Sequence, residues 1–140
     1  MSPKAAPGRE DRHRVVLVVE DEILVRSVTA EFLRMAGYNV VEAANAAEAV
    51  AVFTAGTVID LVFSDINFMA GPNSMDGVGL ARWVSQHHPG VHVILTSGNT
   101  QAARAADVAA TFLAKPYRAR EAILRISALL EDLGAPQPDL

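Results

Sequence analysis

The chain has 140 residues, 51% of them hydrophobic, which suits one domain with a full core. It contains no cysteine, so neither a disulfide framework nor a thiolate metal site is possible. Its formal charge is −4 with no basic cluster, which argues against direct nucleic-acid binding, and no run approaches the roughly 18 apolar residues of a membrane span.

The first residues, MSPKAAPGREDRH, are polar and carry no apolar stretch of a signal peptide; residues 1–13 are expected to be a flexible segment of a cytoplasmic protein. RVVLVVED (14–21) is an aliphatic, β-branched run ending in acids, the pattern of a strand buried on both faces of a parallel sheet. EILVRSVTAEFLRMAG follows, with Leu24, Val28, Phe32 and Met35 as a helical stripe and Gly37 at the C-terminal cap. YNVVEA (38–43) is a second strand. Asn45 is placed to cap the next helix, AAEAVAVFTAG, with Glu48 spaced for the reciprocal bond.

DLVFSD (60–65) is the third strand, and GVGLARWVSQHH (77–88) a helix with Leu80 and Val84 on one face, stopped by Pro89–Gly90. His87 and His88 at its end suit the helix dipole, and the break before His92 argues against a histidine metal site. VHVILTSG (91–98) is the fourth strand. TQAARAADVAA predicts a short fourth helix and TFLAKP (111–116) a fifth strand. The last helix, 118 to 133, is expected to turn Ile123, Ile126, Leu130 and Leu133 inward, with residues 134–140 a flexible tail. No linker to a second domain is visible, so residues 14–133 are expected to form one domain.

Strand–helix alternation of this kind implies a doubly wound, five-stranded parallel sheet, and such sheets carry their sites beyond the carboxyl ends of the strands. The first strand ends in Glu20 and Asp21, the third in Asp65, the fourth in Thr96 and Ser97, the fifth in Lys115. With strand order 2-1-3-4-5, strands one and three are neighbours at about 4.8 Å, so Asp21 and Asp65 converge. Each residue alone has an ordinary reading as a turn former, helix cap or strand exit. Together, carboxylates without His or Cys select a hard ion such as Mg²⁺, and an acid flanked by that ion, a lysine and a hydroxyl can act as a phosphoryl acceptor.

VLVVEDE (16–22), FSDIN with the later MDG (63–67 and 75–77), ILTSG (94–98) and FLAKPY (112–117) resemble, in this order, the receiver domain of bacterial two-component response regulators, of CheY-like, flavodoxin-like fold. The resemblance covers about residues 14–133 and is that of a stand-alone, single-domain regulator. It implies that Asp65 accepts a phosphoryl group from a sensor histidine kinase or phosphotransfer protein, and that a downstream protein target, not yet known, reads the result. It further implies Mg²⁺ on Asp21, Asp65, the Asn67 carbonyl and, through water, Glu20. Thr96 and Lys115 would contact phosphoryl oxygens, Phe112 would turn inward on activation, and the Lys115–Pro116 bond is one that is often cis in such domains. Two departures stand out: the FMAGPNS loop after the acceptor is longer than usual, and the stretch from Thr96 to Lys115 is shorter. The alternative is a small Mg²⁺-dependent phosphohydrolase of the haloacid-dehalogenase type, but Asp65-Ile66-Asn67-Phe68-Met69 lacks the second acid of that motif.

Overall fold

In the computed structural model, residues 13–67, 75–99 and 108–131 are described. They form strands β1 (Val15–Val19), β2 (Asn39–Ala43), β3 (Leu61–Asp65), β4 (His92–Ser97) and β5 (Thr111–Ala114). The helices among them are α1 (Ile23–Met35), α2 (Ala46–Thr54), α3 (Gly77–His87) and α4 (Ala119–Leu130). All pairings are parallel and the order is β2-β1-β3-β4-β5, as expected of the flavodoxin-like class. The expected helix in TQAARAADVAA falls largely on residues 100–107, outside the described residues, as do the two termini.

Alternating residues of each strand feed two cores. Val16, Val18, Phe63, Ile94 and Leu113 meet Leu33 of α1 and Ile126 and Leu130 of α4 on one face. Leu17, Val19, Val62, Val93 and Leu95 meet Phe53 of α2 and Leu80 and Val84 of α3 on the other. Both faces being covered explains why the strands read as unbroken aliphatic runs.

Local signals hold at the helix ends. α1 stops in a Schellman motif: Gly37 has φ +102° and donates to Arg34 O, while the Tyr38 N–H reaches Leu33 O at 3.2 Å. Asn45 accepts the Glu48 N–H at 2.9 Å, but the Glu48 carboxylate returns to Ala44 N (2.7 Å), one residue before the cap. β1 and β5 are shorter than expected, ending at Val19 and Ala114, where their last register partners lie. One more ladder bond follows each, Glu20 N–H to Ala43 O and Lys115 N–H to Ser97 O, so the chemical residues leave the sheet from fixed anchors.

The orientation of α1 assigns a face to the stripe that the sequence reading only named. Thr29, Ala30 and Leu33 face the sheet, whereas Leu24 (77% exposed), Val28 (62%) and Met35 (82%) face outward and Phe32 is half-buried. This helix carries two interleaved apolar stripes, and the one with small Ala30 allows the closer approach to the strands. In α4, Ile126 and Leu130 are buried and Ile123 is half-buried; Leu133 lies outside the described residues.

Candidate functional site

The carboxyl ends of β1, β3, β4 and β5 bring most of the expected residues together. β1 and β3 are adjacent, Val19 opposing Ser64, so the acids that follow each strand converge. Carboxylate oxygens of Glu20, Asp21 and Asp65 all lie within 4.8 Å of one another. Asp65 pairs in register with Thr96, whose side chain is buried, and the Ile66 N–H donates to Thr96 O at 2.9 Å. Lys115, just beyond β5 and joined to Pro116 by a cis bond, donates from Nζ to Asp65 Oδ1 at 2.9 Å. Asn67 follows two residues after the acceptor and is exposed. Phe112, on β5 opposite Leu95, is half-buried against the core on the α2–α3 side.

The electrostatics follow from this crowding. Burial pushes the Glu20 carboxyl up from its ordinary 4.5 to about 7; the Glu22 N–H on its Oε2 (3.1 Å) opposes this, and Asp21 and Asp65 add to it. Burial pulls the Lys115 ammonium down, but the hydrogen bond and charge of Asp65, with Glu20 behind it, outweigh that and hold it above the usual lysine value. The cluster is therefore short of positive charge. An all-oxygen acidic donor set suits a hard divalent cation such as Mg²⁺, so the residues fit that ion.

One consequence is measurable. Between pH 4.5 and about 7 folded Glu20 holds a proton that the unfolded chain has released. Stability without divalent ions therefore falls as pH rises through that window and levels off above it. Melting in EDTA should show Glu20→Gln losing part of this decline; a pH profile identical to wild type contradicts the burial of a protonated Glu20.

Several residues around the site were not singled out in the sequence. Tyr117 packs edge-on to Phe63 (5.8 Å between centroids), shares a hydrogen bond with Thr29, and has its hydroxyl pushed above the usual range by burial. Arg26 reaches back to the Glu20 carbonyl, and Gly77 lies against the backbone of Asp65 and Ile66. The apolar run of α1 and the FLAKPY motif were signals for the groove of about 700 Å³ that Leu24, Val25, Val28 and Phe32 form with Pro116 and Tyr117 beside Lys115.

Comparison with known proteins agrees with this geometry. The family model described as "Response regulator receiver domain" matches residues 16–127, and the chain belongs to that family, the phosphoacceptor domains of two-component signalling. The chain is 35% identical over 121 residues to the sensor kinase CckA of Brucella abortus (strain 2308), covering 83% of this chain and 12% of that protein. It is 30% identical over 118 residues to the transcriptional regulatory protein ResD of Bacillus subtilis (strain 168), covering 82% and 47% respectively. The chain thus spans less than half the length of either relative. Among solved structures, a response regulator receiver protein from Sinorhizobium medicae WSM419 superposes with TM-score 0.78 at 25% identity, covering 86% of this chain and 96% of that one. No helix among the described residues is long and apolar enough to cross a membrane.

Proposed function

We propose that this protein accepts a phosphoryl group on Asp65 from a phosphohistidine of a sensor kinase or phosphotransfer protein in the cytoplasm, and signals through protein contacts rather than by turning over a substrate. The observation that carries this reading is the Lys115 ammonium at 2.9 Å from Asp65 Oδ1, with Glu20 and Asp21 alongside. A carboxylate oxygen of Asp65 attacks phosphorus, the P–N bond to the donor imidazole breaks with its electron pair leaving on nitrogen, and an acyl phosphate remains. Lys115 fixes the orientation of the carboxylate and neutralises charge gathering on the phosphoryl oxygens, and the Thr96 hydroxyl offers them a hydrogen bond. Mg²⁺, held by Asp21, Asp65 and the Asn67 carbonyl and through water by Glu20, would supply further charge neutralisation when bound. In this reading Thr96 and Phe112 report the new charge, Phe112 turning inward from its half-buried place on β5.

The groove beside Lys115 supports the same conclusion, since a protein donor that fills it lies against Lys115, the acceptor's ion-pair partner. Its ridge of Leu24, Val28 and Phe32 has the spacing that packs against another helix. The test offers two donors to wild type and Val28→Asp, a change at an exposed position. Acetyl phosphate with Mg²⁺ should label both once, adding about 80 Da. A phosphohistidine-bearing kinase domain should label wild type at least about tenfold faster than the variant, which loses apolar contact and gains an uncompensated charge. Failure of acetyl phosphate to label wild type overturns the acceptor reading, and equal transfer from the kinase domain overturns the groove.

A further inference from the structure

The β1–α1 turn presents two of the three acids, and it has no regular secondary structure to hold it. Glu20 donates its N–H to Ala43 O at 3.0 Å, the last bond toward β2. Its carbonyl receives Nη1 of Arg26 at 2.8 Å, a side chain six residues on in the first turns of α1. The same guanidinium places Nε 3.4 Å from Glu42 Oε1 on β2, and its side chain is only 16% exposed. Glu42 is braced in turn by Arg34, whose Nη2 lies 3.3 Å from Oε2 and 3.2 Å from the Val40 carbonyl.

We infer that Arg26 is a positioning residue for the cation-binding acids, its guanidinium fixing the Glu20–Asp21 peptide against edge strand β2. The inference rests on the Mg²⁺ reading of the acid cluster. A rigid, planar guanidinium can donate an N–H to the carbonyl while its charge stays paired with Glu42, in a geometry that a lysine cannot reproduce. With both ends tied, the peptide that carries Asp21 cannot rotate about the end of β1. The Glu20 carboxylate is fixed separately by the Glu22 N–H, so the two acids point toward Asp65 from a turn secured at each successive peptide. Arg26 touches no ligand itself. It acts on the cation only through the orientation of its neighbours, as residues behind metal ligands do.

The probe is Mg²⁺ alone, titrated calorimetrically into wild type, Arg26→Met and Arg26→Lys. Methionine keeps the apolar stem and removes every donor; lysine retains one donor able to reach the Glu20 carbonyl. The expected Kd is about tenfold weaker in Arg26→Met, the lower end of the range for groups that orient metal ligands. In Arg26→Lys it should be weaker by only about threefold. Acetyl phosphate labelling at saturating Mg²⁺ should return to within about twofold of wild type in both variants, because the acceptor and Lys115 are untouched. A general loss of structure would depress that saturated rate as well as the affinity. A wild-type Kd in Arg26→Met overturns the inference, as does an Arg26→Lys that binds no better than Arg26→Met. Should Arg26→Met not fold, a wild-type Kd in Arg26→Lys overturns it instead. If wild type itself takes up no Mg²⁺, the reading of the acid cluster fails, a result distinguishable from any failure of Arg26.

Discussion

Asp65→Asn should abolish labelling by acetyl phosphate and by any phosphohistidine donor, leaving the intact mass unchanged under conditions that label wild type completely. The substitution is nearly isosteric, so β3 and its register with Thr96 should persist. What disappears is the anionic oxygen: a neutral amide is a far poorer nucleophile, and the Lys115 ammonium loses its ion-pair partner. Asp21, within 4.8 Å, serves the cation in this reading and does not take over. Glu20 is 6% exposed, which leaves its carboxyl little access to a phosphodonor. Peptide mapping should find no phosphoryl group on Glu20 or Asp21 either. Labelling of Asp65→Asn at more than a trace of the wild-type extent, wherever it falls, would overturn the assignment of the acceptor. The Lys115–Asp65 pair is partly exposed, so its loss should alter stability little. Folding and labelling are therefore separable in this variant.

The sheet was readable because its strands are buried on both faces: RVVLVV and DLVFS leave few other places to lie, and the alternation with helices fixes a parallel arrangement. The convergence of Glu20, Asp21, Asp65, Thr96 and Lys115 followed from strand order, since each lies at or just beyond the carboxyl end of its strand. The outward turn of Leu24, Val28 and Met35 was not readable. α1 offers apolar residues on two sides, and only the shape of the sheet beneath decides that Ala30 and Leu33 go in. The displaced stripe is itself informative, because an apolar ridge beside Lys115 is a surface that a partner can cover.

Other features depend on depth and on approach between distant segments, which a sequence does not record. Glu20 and Asp21 look alike in VVED, yet burial raises the Glu20 carboxyl to about 7. The link from Arg26 to the Glu20 carbonyl spans six residues, more than a helical turn, and arises because α1 folds back over the end of β1. Chain composition around Arg26 suggests only an exposed helix charge.

Gly77→Ala should destabilise the protein and slow phosphorylation together, although the change adds a single methyl group far from Asp65 in sequence. Gly77 opens α3, and its N–H donates to Ile66 O at 2.9 Å. A Cβ there would lie 2.5 Å from the Asp65 carbonyl oxygen and 2.6 Å from Ile66 Cα, closer than atoms in contact can be. Both obstacles are backbone, so no side chain can rotate aside. Either the start of α3 lifts from the end of β3, or the end of β3 moves and carries the acceptor with it. Overpacking of this kind costs about 1–3 kcal/mol. For a domain of this size, that corresponds to a melting temperature lower by roughly 3–12 °C. The acceptor effect should be visible at saturating Mg²⁺, where the initial rate of acetyl phosphate labelling should fall about tenfold, because small displacements of reacting groups have large kinetic consequences. Gly90→Ala is the matched control: a Cβ at that position meets nothing within 4 Å, and its melting and labelling should follow wild type. A Gly77→Ala protein that melts and labels like wild type would show that α3 and the acceptor strand do not pack at the distance described, and that the glycine of MDG is not required by this contact.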